Sequence, residues 1–100
     1  MFVILTSKPG KFHTEVSKGL KPIEAWDYRL DGKMRVEFII AEITGQPRVT
    51  IVDETPPQVV NCIPSKVLPR FASIDRARHE LTSLANISRG YTLERRRLEV

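Results

Sequence analysis

The chain of 100 residues has one cysteine and two histidines, and this shortage excludes several kinds of site. A lone cysteine, Cys62, cannot form a disulfide within the chain. Together with His13 and His79 it cannot supply the four ligands of an iron–sulfur cluster or a structural zinc site. We therefore expect no cofactor and no metal. A single reduced thiol is typical of a cytoplasmic protein, and that is the location we expect.

Long apolar runs are also missing. The run Phe2-Val3-Ile4-Leu5 is well below the ~7–15 apolar residues of a signal peptide and the roughly 20 of a membrane helix. The run from Val36 to Ile43 is interrupted by Glu37 and Glu42. We therefore expect neither an export signal nor a membrane anchor.

Glycine is scarce and scattered, so the sequence has no glycine-rich phosphate loop. What is present is ordinary for a folded protein, because 41% of the residues are hydrophobic and 28% are charged. A chain of this length can bury one core but hardly two. We predict a single domain over residues 1–90, followed by a charged tail over residues 91–100.

The clearest local pattern is a β-hairpin. Ile23 to Leu30 and Lys33 to Thr44 are rich in strand-forming residues, and Asp31-Gly32 between them is typical of a two-residue type I′ turn. We take Leu30 to lie opposite Lys33 and continue that register without interruption. One face of the hairpin is then apolar, with Ile23, Ala25, Met34, Val36, Phe38 and Ile40.

The other face of this hairpin is mixed and offers a candidate partner surface. Glu24, Arg35 and Glu37 lie there beside apolar residues. A monomer rarely exposes that much apolar area, so we expect a second copy of the chain, or another protein, to cover it. The residues that we assign to this partner surface are Trp26, Tyr28, Leu30 and Ile39.

Further strands and one helix complete the predicted fold. Alternating or short apolar patterns predict strands near residues 2–6, 12–16, 48–54 and 59–63, the last an edge strand between two prolines that buries Cys62. Ser73 is a good helix N-cap, and Arg89 followed by Gly90 is typical of a helix end. The fold class is α+β: a curled antiparallel sheet of about five or six strands with one C-terminal helix packed on one face.

One face of the predicted helix should pack on the sheet. Ile74, Ala77, Leu81 and Leu84 recur at intervals of three and four residues, which places them on one stripe. We expect Leu81 and Leu84 to be buried. His79 lies off this stripe, and we expect it to face solvent.

The positive charge lies in two regions, the first 21 residues and the last third of the chain. Clustered arginines such as Arg95-Arg96-Arg97 can neutralise phosphates and are typical of nucleic-acid-binding proteins. Glu94 and Glu99 flank this run, however, and a solvated tail explains it better. A nucleic-acid-binding module is therefore an alternative, less favoured function. Its candidate basic surface is Arg89, Arg95, Arg96 and Arg97.

Few residues suggest chemistry. In the assumed register Asp27 lies on the apolar face, where either Arg29 neutralises it or it has a functional role, and the ion pair is the better explanation. Asp27 and His13 are the residues of a candidate polar site, and we assign no catalytic residue. The favoured function is a small non-catalytic accessory or regulatory protein acting through protein–protein contacts. A ligand-binding domain or enzyme with a pocket between sheet and helix is another alternative.

Overall fold

The computed structural model describes residues 1–85, 91–96 and 98. These residues form seven strands, one α-helix and a short 3-10 turn at Ser65–Val67. The strands are β1 (Phe2–Ser7), β2 (Phe12–Glu15), β3 (Leu20–Leu30), β4 (Lys33–Ile43), β5 (Arg48–Asp53), β6 (Val60–Pro64) and β7 (Tyr91–Arg96), and helix α1 spans Ile74–Ala85. The α+β class is confirmed.

The strands form two antiparallel sheets rather than the one curled sheet expected from the sequence. The larger has the order β1-β4-β3-β7 and the smaller has the order β2-β5-β6. The reason lies in β4, which is apolar on both faces. Phe38 and Ile40 pack toward α1, while Ala41 and Ile43 pack toward the second sheet. A sheet with two apolar faces needs cover on both.

The core is accordingly divided into two clusters of buried side chains. The first lies between the sheets and consists of Val3, Leu5, Leu20, Ala41, Ile43 and Val49. The second lies between the larger sheet and α1 and consists of Phe38, Ile40, Ala77 and Leu81. Among the described residues, no helix is both long enough and apolar enough to cross a membrane.

The hairpin turn is confirmed, but the predicted register holds only at the two ends of the hairpin, near the turn and again at residues 20–22. Asp31 and Gly32 have φ values of 53° and 75°, as a type I′ turn requires. Leu30 lies opposite Lys33 as predicted. The register then shifts, because Arg35 is left unpaired in a β-bulge. A shift of one residue changes which side chains of the two strands share a face.

Helix α1 begins where the sequence predicts. The Ser73 hydroxyl accepts a hydrogen bond from the backbone N–H of Arg76 at 3.2 Å, which is the expected N-cap. The proposed helix end at Arg89 and Gly90 lies outside the described residues.

The buried face of α1 is narrower than predicted. Ala77 and Leu81 are buried and His79 is exposed, as expected. Leu84 is 44% exposed, so the prediction that it is buried is wrong. The physical reason is the position of the second cluster, which holds Ala77 and Leu81 on the first two turns but not Leu84 on the last.

Residues 91–96 form a strand, β7, where the sequence analysis expected part of a tail. β7 pairs antiparallel with β3, and Leu30 lies opposite Tyr91. The Tyr28 and Tyr91 rings stack with centroids 5.8 Å apart, and Leu93 packs on the second cluster. Tyr91 and Leu93 alternate with polar residues, which is a strand pattern. The high charge of the segment favoured a tail instead.

Candidate functional site

The four residues of the predicted partner surface do not share an exposed face. Trp26 and Tyr28 are half-buried against the helix-side cluster, whereas Ile39 packs on the cluster between the sheets. Leu30 is half-buried at the end of the hairpin. The bulge explains the error, because it places Trp26 opposite Phe38 rather than Glu37. This surface is therefore largely part of the core.

On the helix side of β3, Glu24 is a buried carboxylate held by two arginines and a tryptophan. Arg78 Nε donates to both carboxylate oxygens at 2.9 and 3.1 Å, and its Nη2 donates to Oε2. Trp26 Nε1 donates at 3.0 Å, and Arg95 Nη2 lies 3.7 Å away. The hydrogen bonds from Arg78 hold the pKa of Glu24 below its ordinary value, although burial opposes this. The cluster ties α1 and β7 to β3.

Asp27 occupies the opposite face of β3 and is also buried. Arg29 Nη2 lies 4.0 Å from one carboxylate oxygen, so the expected ion pair is present. Arg96 Nη1 lies 3.6 Å from the other oxygen, and Arg96 also pairs with Glu37. The predicted register, continued from Leu30 opposite Lys33, would place Asp27 opposite Val36, but its cross-strand neighbour is Glu37. Since Glu24 and Asp27 point to opposite faces, they cannot act as an acid–base pair.

His13 and Asp27 are not brought together. His13 lies on β2 of the smaller sheet, where its Nε2 is 3.6 Å from Glu15, and it shares no described contact with Asp27 of the larger sheet. No group of three or more potential metal ligands occurs among the described residues. Cys62 is exposed rather than buried, because it lies on the outer face of β6, with its sulfur 3.7 Å from the Thr50 hydroxyl.

The candidate basic surface is partly described and partly neutralised. Arg95 lies near Glu24, and Arg96 pairs with Asp27 and Glu37. Carboxylates this close reduce the positive potential that a phosphate would meet. Arg89 and Arg97 lie outside the described residues.

Two cavities bear on the possibility of a small ligand. One of about 220 Å³ lies between the sheets and is lined mainly by apolar side chains. It is smaller than the roughly 300–1,000 Å³ of typical ligand pockets. Another of about 630 Å³ lies between the loops that contain Gly19 and Pro47, and its lining includes Lys18 and Lys21 but no carboxylate, histidine or cysteine. That lining offers no acid–base pair.

An exposed feature of the smaller sheet is the strand edge at β6, whose own residues are uncharged although Arg48 of β5 donates to the Cys62 carbonyl. β6 is the last strand of the smaller sheet, and β5 is its only strand partner in the described part of the chain. Val59, Val60 and Val67 are 45%, 59% and 59% exposed. We call the outer side of Val60–Pro64, together with Val59 and Val67, the β6 edge.

The hydrogen-bond ladder shows which groups of β6 point outward. The Asp53 N–H donates to the Val59 carbonyl at 3.0 Å. Along an antiparallel strand, residues whose backbone groups bond to the neighbouring strand alternate with residues whose backbone groups point away from it. Val60 and Cys62 therefore direct their backbone N–H and C=O groups away from β5. The sequence predicts this segment as an edge strand, but the aromatic face of the hairpin is the stronger sequence signal for a contact surface.

Nothing matches the chain in comparisons with protein-family models, with curated proteins or with solved structures.

Proposed function

We propose that the protein is a small non-catalytic accessory or regulatory protein that acts through protein–protein contacts, and that the β6 edge is its contact surface. The exposure of Val59 and Val60, at a strand edge that has no strand partner in the described part of the chain, carries this proposal. Natural proteins usually protect an edge strand with charged residues or prolines. No charged residue occurs from Pro56 to Ser65, and prolines only bound the segment.

The state of the ionisable groups supports a non-catalytic role. The two buried carboxylates that could serve as acids or bases, Glu24 and Asp27, are both paired with arginines. Glu24 is a poor general base near neutral pH, because the hydrogen bonds from Arg78 lower its pKa. These carboxylates join β3 to α1 and β7.

The proposal is tested by placing a charge on the β6 edge. Val60→Lys should weaken association of the protein, because a lysine on an edge strand opposes pairing with another strand. The matched control is Val16→Lys, which changes a valine that is 44% exposed and directly follows β2, the strand at the opposite edge of the same sheet. Both substitutions should change stability by less than ~0.5 kcal/mol.

Association is measured in two ways: by sedimentation velocity of the pure protein and by quantitative capture from a lysate of the source cells. We expect at least one measurement to show weaker association by Val60→Lys than by the parent and by Val16→Lys. Association that Val60→Lys leaves unchanged, or its absence from both measurements, would contradict the proposal.

A further inference from the structure

We propose that the strand covering the β6 edge comes from a second copy of this chain, with β6 pairing antiparallel to β6 about a two-fold axis at Asn61. This inference rests on the proposed function and specifies its partner. The result is a continuous six-stranded sheet made from the smaller sheets of both copies. Three observations support it: the backbone ladder, the charges at the strand ends, and the position of Pro64.

The outward groups of β6 are complementary to themselves. Val60 and Cys62 lie two residues apart and both point outward. When two copies pair antiparallel, Val60 of one lies opposite Cys62 of the other, and the same contact recurs across the axis. All four outward N–H groups then find carbonyl partners. Arg48 Nη2 already donates to the Cys62 carbonyl at 3.3 Å, but a carbonyl can accept two hydrogen bonds.

Proline fixes the register. A pairing centred one residue nearer to Pro64 would place Val60 opposite Pro64, which has no N–H to donate. A pairing centred on Val60 would place Cys62 opposite Gln58, which lies outside β6. The register centred on Asn61 therefore uses the outward donors and acceptors of β6 itself.

The charges at the two ends of the smaller sheet are complementary. Asp53 and Glu54 lie beside the start of β6, whereas Arg48 and Lys66 lie beside its end. Antiparallel pairing brings the start of β6 in one copy next to its end in the other. The acidic end of each sheet then faces the basic end of its partner, which favours a second copy over an unrelated strand.

The expected association is weak. β6 has five residues, which is a small surface beside the roughly 1,200–2,000 Å² buried by stable interfaces. We expect a dissociation constant in the micromolar range, so the experiments span protein concentrations on both sides of it.

The register is tested by disulfide cross-linking. Asn61→Cys in a Cys62→Ser background should yield covalent dimers on mild oxidation, because facing residues in a pair without mutual hydrogen bonds have Cα atoms about 4.5 Å apart. The parent chain is the matched control. Its two Cys62 residues would be diagonal neighbours about 7–8 Å apart, too far for a disulfide without backbone movement. Equal cross-linking of both proteins, or none, would overturn the proposed register.

The charge pairing is tested by reversal. Glu54→Lys and Lys66→Glu should each weaken dimerisation about 5-fold, because each places like charges at both ends of the interface. The double variant should regain the parent affinity. Sedimentation velocity measures the dissociation constants of the parent, the two single variants and the double variant, and circular dichroism checks that each variant is folded. If the two single effects on the dissociation constant simply multiply in the double variant, the second-copy inference is overturned.

The failure of this inference is distinguishable from failure of the proposed function. If the pure protein stays monomeric and does not cross-link, yet captures another protein that Val60→Lys loses, the partner is not a second copy but the β6 edge is still a contact surface. If no β6-dependent association occurs with any protein, both proposals fail.

Discussion

Two buried acidic side chains on β3 connect the elements of the larger sheet. Glu24 binds Arg78 of α1 on one face, and Asp27 lies near Arg96 of β7 on the other. Their separation by three residues places them on opposite faces, which the sequence alone reveals. The arginine partners could not be predicted, because they lie 54 and 69 positions further along the chain and depend on how α1 and β7 dock.

Removing the charge of Glu24 should destabilise the protein. Glu24→Gln keeps the side-chain shape but weakens the hydrogen bonds from Arg78 and Trp26. We expect the free energy of unfolding to fall by about 1–3 kcal/mol in urea denaturation. The matched control, Glu42→Gln, changes an exposed residue of β4 and should have less than ~0.5 kcal/mol of effect. Equal effects would show that the Glu24 cluster is not structural.

The same variant has a definite pH dependence. The pKa of Glu24 is lower in the folded state than in the unfolded chain, because Arg78 donates to the charged form. Its stabilising contribution is therefore complete above the unfolded pKa of about 4.3 and is lost as pH falls through the folded pKa. The difference in unfolding free energy between parent and Glu24→Gln should be constant from about pH 5 to 7 and shrink below about pH 4. A difference that grows on acidification would contradict this assignment.

At the scale of elements, local signals in the sequence were reliable and long-range ones were not. The turn at Asp31-Gly32 and the cap at Ser73 are set by a few adjacent residues, and both are confirmed. The bulge at Arg35 has no comparable local signal, because the strand pattern continues through it. The packing of Tyr91 and Leu93 likewise depends on residues distant in the chain.

The turn can be tested by two substitutions of one glycine. Gly32 has a φ of 75°, and a β-carbon added there would meet no atom within 4 Å. The effect of a substitution therefore reports backbone conformation alone. Gly32→Val should lower the unfolding free energy by roughly 1–3 kcal/mol, because β-branched residues resist positive φ. Gly32→Asn should lower the unfolding free energy clearly less, because asparagine tolerates positive φ better. Equal stability of the two variants in thermal unfolding would refute the type I′ turn.

The orientation of α1 can also be tested by a pair of substitutions. Leu81→Ala should lower the unfolding free energy by about 2–5 kcal/mol, because Leu81 belongs to the buried cluster beneath the helix. Leu84→Ala, on an exposed part of the same helix, should lower it by less than ~1 kcal/mol. Chemical denaturation measures both. A larger loss at Leu84 would mean that the helix packs through a different face.

At the scale of the whole molecule, the division into two sheets moves the candidate contact surface. A single sheet would have left Trp26 and Tyr28 on an open face, as the sequence analysis assumed. In the structure both pack on the helix-side cluster, and the exposed apolar surface lies instead at β6. Sequence patterns predict β6 as an edge strand. The exposure of Val59 and Val60 depends on the strand order β2-β5-β6, which the sequence does not reveal.

The most direct test of the account is amide hydrogen exchange at β6, measured by NMR over a range of protein concentrations. The Val60 and Cys62 N–H groups point away from β5, so they should exchange fast in dilute solution and slow markedly as the protein associates. The amide of Val16, which directly follows β2 at the opposite edge of the sheet, should exchange at the same rate throughout. The account is contradicted if association slows exchange elsewhere while the Val60 and Cys62 amides remain fast.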